Sequence, residues 1–238
     1  MINRIIDNKR KTLLENLILA SKDFDELSIT TGYWDLEGTK LLIESLKDYK
    51  KIRLIIGQEP LIGRYNLNQV EPDFPDTDIF KDLQRLKSDS ALYATVKELK
   101  KKVDEGVLEV KVYRRNFLHA KSYIFGNYKT EKAVGFIGSS NFTKNGLTTN
   151  LELNTSEVDN RIVQFNPQSE NQEHGHLSWF EEIWNDEMSI NWTGDFIELV
   201  NSSNHGDQLF SPYEMYIKTL EYIYADEMNH PGLTPQGI

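Results

Sequence analysis

KIRLIIGQ, residues 51–58, is a short and nearly continuous apolar run that stops at a glycine. Such a run suits a strand buried on both faces. Upstream, LSITTGYW (27–34) is rich in β-formers and runs into Gly32, and residues 38–49 carry helical apolar spacing. Strand, helix, strand at this spacing is a βαβ unit and implies a parallel pair. Downstream, VLEVKVYR (107–114), LHAKSYIF (118–125), KAVGFIG (132–138) and NLELNTSEV (150–158) follow as four further strands with short connections. Helices are expected over 4–22, over 79–104 with a break near 88–90, and over HLSWFEEIWND (176–186). The expected class is α/β: a mixed, largely parallel sheet flanked by helices, with a C-terminal helical extension. Residues 60–78 hold three prolines and are expected to be a long loop that could gate a cleft.

At 238 residues and 39% hydrophobic, the chain can bury a substantial core. It has no cysteine, which excludes a disulfide framework and a thiolate zinc site. No window reaches the length of a transmembrane helix, so a soluble, cytoplasmic protein is expected. The net charge of −10 argues against a nucleic-acid binder, but its distribution is uneven. Residues 97–132 hold ten Lys/Arg against five Asp/Glu; from 152 onward there are sixteen acids and two bases. The basic segment marks a working surface, and Lys111, Arg114 and Arg115 within it are candidate phosphate contacts. KELKKK (97–102) also fits a solvated helix end.

FLHAKSYIFG (117–126) lies in that segment. Strand alternation puts His119, Lys121, Tyr123 and Phe125 on one face, with the imidazole and the ammonium about 7 Å apart. A lysine at a strand centre needs an anionic partner. GFIGSSNFTKNGL (135–147) then runs from a strand into glycine and small polar residues, which bring backbone N–H groups and the Asn141 amide close to a ligand. Ser139, Ser140 and Thr143 add hydroxyls. Eleven residues past Asn141, Glu152 sits between two leucines, where a carboxylate needs a partner; a histidine N–H would serve, fixing the imidazole tautomer. An orientable histidine, two anion clamps and an orienting carboxylate are the inventory for phosphoryl transfer through a histidine nucleophile.

His-x-Lys at 119–121, Gly-Ser-x-Asn-Phe-Thr at 138–143 and Glu152 together resemble the signature of the phospholipase D superfamily. GYW (32–34), IRLIIG (52–57) and FEEIW (180–184) resemble its bacterial nuclease branch, and the likeness spans about 24–188. The resemblance implies phosphodiester cleavage without a metal or other cofactor. His119 would attack phosphorus, Lys121 and Asn141 would hold the non-bridging oxygens, Ser139 would support them, and Glu152 would orient His119. The chain departs from the signature at Gly126, where an aspartate is common; metal-independent restriction endonucleases of the superfamily tend to lack it too. Superfamily enzymes use two His-x-Lys halves around one site, and this chain has one, so a two-fold homodimer is implied.

The same resemblance implies a nucleic-acid substrate, DNA first, and an organisation of 1–190 as a phospholipase-D-like nuclease domain and 191–238 as a helical extension and linker. SPYEMYIKTLEYIY (211–224) resembles the helix that follows this module in proteins where it precedes a helicase, so helicase or ATPase domains in the same chain are expected partners. Two rival classes are a catalytically weak DNA-binding module of the same fold and, third, a phospholipid-processing enzyme. Glu173, His174 and His176 are taken as incidental rather than metal-binding. Tyr33 and Trp34 could stack bases, or belong to the core.

Overall fold

The computed structural model describes residues 2–57, 90–115, 118–169 and 172–202. The chain divides into two compact units at His205 and Gly206, and the second lies outside the described residues. So do the 60–78 loop, the first part of the expected 79–104 helix and the helix expected at 211–224.

The strands are β1 (Ile5–Ile6), β2 (Glu26–Thr31), β3 (Lys51–Gly57), β4 (Leu108–Tyr113), β5 (Ser122–Phe125), β6 (Val134–Gly138), β7 (Asn154–Glu157) and β8 (Ser189–Asn191). They form one sheet in the order β1-β7-β6-β5-β2-β3-β4-β8. The expected βαβ unit is present: β2 and β3 pair in parallel, Leu27 opposite Ile52, and β3 pairs in parallel with β4. The mixed sheet with flanking helices is therefore as expected, but its largely parallel character is not. β1–β7, β2–β5, β4–β8, β5–β6 and β6–β7 are all antiparallel. The cause is connection length: only residues 126–133 join β5 to β6, too few for a crossover.

The helices are α1 (Leu13–Ser21), α2 (Leu36–Leu42, continued by a 3₁₀ turn at Ile43–Leu46), α3 (Ser90–Asp104), α4 (Lys144–Thr148), α5 (Asn160–Val163), α6 (His176–Asn185) and α7 (Thr193–Ser202). The helix expected from residue 4 starts only at 13. Thr12 and Glu15 form a capping box there, which satisfies backbone donors and sets the start, and Ile5 and Ile6 are free to pair with β7. On one face of the sheet Leu27, Ile29, Leu54, Val110, Tyr123 and Phe136 pack under Leu13, Leu17, Leu36 and Val96; Trp192, Phe196 and Val200 join the same core. On the other face Ile55, Ile124 and Leu118 pack under Leu177, Phe180 and Trp184 of α6.

Candidate active site

The site is built where β2 and β6 end and where the chain enters β5. His119 and Lys121 do not lie within a regular strand, because β5 begins at Ser122. They form an extended lead-in whose backbone is held by Gly138 N–H donating to Lys121 O at 3.2 Å. The expected alternation survives: Tyr123 and Phe125 join one core, Leu118 and Ile124 the other. Close approach fixes the crossing of this lead-in over the sheet, since a Cβ on Gly57 would stand 2.0 Å from Leu118 O.

His119 is exposed, whereas Lys121 is only 4% exposed. The Lys121 ammonium donates to the His119 carbonyl at 2.8 Å. Burial holds its pKa below the ordinary 10.5, and the nearby Glu152 carboxylate offsets part of that. Asn141 comes up beside His119: a Cβ on Gly32 would be 3.2 Å from Asn141 Oδ1 and 3.4 Å from His119 Cδ2. Asn141 Oδ1 accepts from the backbone N–H groups of Gly32 and Tyr33, each at 3.1 Å. Its orientation is thereby set, and the Nδ2 donors have no partner among the described residues.

Glu152 is half-buried, and the leucines beside it are the exposed residues, Leu151 at 82% and Leu153 at 65%. The expected apolar setting for the carboxylate is thus reversed. Ser139 Oγ donates to Glu152 Oε2 and accepts from Leu153 N–H at 3.0 Å, and Asn150 Nδ2 donates to Oε1 at 3.4 Å. Tyr123, buried beneath, donates to Ser140 O at 3.0 Å; burial raises its phenol pKa well above the usual value.

The remaining candidates are placed elsewhere. Ser140 is fully buried, with Oγ accepting from Asn154 Nδ2 at 2.9 Å, so it braces the turn. Thr143 caps α4 through Gly146 N–H. Lys111 donates to Trp184 O at 2.8 Å with its ammonium over the Trp184 ring, which binds it to α6. Arg115 pairs with Asp186 and Glu187, and Arg114 N–H donates to Met188 O. The lysines at 100–102 sit at the end of α3, where Val107 O accepts from Ile52 N–H at the start of β3. That is the far end of the sheet from Gly32, about 20 Å along β2. The basic segment does not form one cleft. Trp34 is a core residue, bonded to Thr39 and packed on Phe196, while Tyr33 is exposed beside Asn141.

Sequence reasoning missed the residues that lace the site together. Thr31 Oγ1 accepts from Phe142 N–H at 2.9 Å, and Asp35 accepts from Gly38 N–H at the start of α2 and from Lys144 N–H at the start of α4. An aspartate directly ahead of LEGTKLL is a cap signal that could have found the second. Gly126, with φ +90, lies at the far end of β5 from His119, and a Cβ there would meet Thr130 Oγ1 at 2.8 Å. The departure from the signature is a turn requirement, remote from the site. His174 pairs with Glu182 and His176 packs against Gly135. Among the described residues no group of three or more His, Cys, Asp or Glu could hold a metal ion, and no helix is long and apolar enough to cross a membrane.

Residues 14–184 match the family described as "Cardiolipin synthase, PLD-like domain". The chain belongs to this phospholipase-D-like family. No curated protein matches it. Among solved structures, the PLD-like chain is similar to NucT from Helicobacter pylori, at 15% identity over 75% of this chain and 90% of that one, TM-score 0.43. It is similar to the phosphatidylserine synthase of Haemophilus influenzae at 14% identity, over 94% of this chain and 46% of that one, TM-score 0.48. A third is the phospholipase D family member Nuc from Salmonella typhimurium, at 13% identity over 79% and 95% of the two chains, TM-score 0.43.

Proposed function

We propose that this protein is a metal-independent phosphodiesterase that cleaves nucleic acid, DNA first, through a phosphohistidine intermediate. The observation that carries the proposal is the exposed His119 imidazole standing beside the immobilised Asn141 amide, with the buried Lys121 ammonium directly behind. In this reading His119 attacks phosphorus and the P–O bond to one nucleoside oxygen breaks. Lys121 and Asn141 Nδ2 donate to the non-bridging oxygens, where negative charge grows. Ser139 supports them, and Glu152 holds the imidazole tautomer. Water then attacks the phosphohistidine, returning His119 and releasing a phosphomonoester end.

A second histidine is needed to protonate the leaving oxygen, and a two-fold homodimer would supply it. Leu151, Leu153, Ile137 and Ile5, all exposed at this end of the sheet, support a covered face next to Glu152.

Cleavage of plasmid and short single strands in excess EDTA tests the mechanism. Wild type should cut and His119→Ala should not; loss of wild-type cutting in the chelator, or cutting by the variant, would overturn it.

A further inference from the structure

We infer that the loop between β1 and α1, carrying Lys9, Arg10 and Lys11, is a docking track for the sugar–phosphate backbone of the substrate beside the candidate active site. The inference rests on the nucleic-acid reading above and goes beyond it by naming where the flanking strand is held.

Register places the loop. Ile6 pairs with Asn154 and Ile5 with Thr155 in antiparallel sense, so Asp7 and Asn8 continue alongside Leu153 and Glu152. The chain therefore leaves β1 at the end of the sheet where Ser139 and Glu152 stand. Asn8 then fastens it. Its Nδ2 donates to Gly146 O at 2.8 Å and to Asn150 O at 3.1 Å, and its Oδ1 accepts from Leu13 N–H at 2.8 Å. Both anchor points border the site: Asn150 also donates to Glu152, and a Cβ on Gly146 would lie 2.5 Å from Asn141 O.

Asn8 has φ 55, in the left-handed region. That conformation costs free energy in a residue other than glycine, and asparagine tolerates it best. Three hydrogen bonds hold it there, so the turn that follows is fixed in place.

What this turn presents is charge. Lys9, Arg10 and Lys11 are consecutive and exposed. Arg10 pairs with Asp7 at 2.6 Å and Lys11 with Glu15 at 3.4 Å, both at the surface, where such pairs exchange readily for a phosphate. Residues 4–11 hold four cations, counting Arg4, against one carboxylate, in a chain of net charge −10. Lys144, exposed at the start of the helix that Asn8 touches and 3.9 Å from Glu37, extends the same edge. The cations that dominate the linear sequence are committed elsewhere: Lys102 to Glu98 and Lys47 O, Lys111 to Trp184, and Arg115 to Asp186 and Glu187.

The test is the salt dependence of binding to labelled duplex and single-stranded DNA in EDTA, with His119→Ala as parent so that nothing is cut. Adding Lys9→Gln, Arg10→Gln and Lys11→Gln should weaken binding about tenfold and reduce the slope of log K against log salt by about two. Asn8→Gly, which permits the backbone conformation and removes the clamp, should weaken binding with a smaller loss of slope. Lys97→Gln, Lys100→Gln and Lys101→Gln should leave the slope as in the parent, and thermal melting of each variant checks that it folds. A parent that binds with a slope unaltered by the loop substitutions sinks the track alone, as does a slope lost to the α3 substitutions instead. A parent that shows no salt-dependent binding sinks the nucleic-acid reading along with it.

Discussion

Lys121 holds a positive charge in a place that lowers stability. Burial disfavours its ammonium form, and Glu152 and the His119 carbonyl compensate only in part. Lys121→Met keeps the length of the stem and removes the charge. It should abolish cleavage and raise the melting temperature; a lower melting temperature would show that the Glu152 attraction outweighs desolvation. The anionic neighbour of this lysine was legible in the pattern His-x-Lys, because a charge between apolar residues has few reasons to be there without one. The setting of Glu152 was not, since Leu151 and Leu153 look like burial in a linear chain and are exposed in space. Ser140 and Thr143 resembled ligand contacts because a hydroxyl that braces a turn and one that meets a phosphate have the same sequence signature.

α6 is expected to lose stability in mild acid. His176 opens it, with Nδ1 buried and without a hydrogen-bond partner among the described residues, and burial depresses its pKa below 6.5 while the nearby Glu157 raises it in part. The folded form thus favours the neutral ring. Its contribution is present in full above 6.5 and is lost as pH falls through the depressed folded value. Trp179 and Trp184 ride on this helix, so their fluorescence should report an acid transition that His176→Gln removes. Persistence of the transition in that variant would assign it to another group. The helix itself was legible from its apolar spacing, as were β2, β3 and the unit they form. β1 was not, because two isoleucines make no period, and β8 is only one residue longer. The antiparallel half was legible in principle from connection lengths.

At the scale of the molecule, charge and apolar surface are arranged differently than along the chain. The basic stretch 97–132 is spread over both ends of the sheet, which no count of charges can anticipate. Leu151, Leu153, Ile137 and Ile5, all exposed, gather instead at the end of the sheet beside Glu152. For the proposed dimer, Leu151→Glu with Leu153→Glu should shift sedimentation from dimer to monomer and lower cleavage at least a hundredfold. A variant that stays dimeric would place the two-fold contact elsewhere, and a monomer that still cuts would overturn the shared site. The short strand β1 has a further consequence, in time rather than in space. It closes the sheet by pairing with β7 and by Ser156 N–H donating to Arg4 O, contacts that span some 150 residues. Closing so large a loop is slow and costs entropy that local contacts do not. On a ribosome, β1 is made some 150 residues ahead of β7 and waits without its partner until that strand emerges.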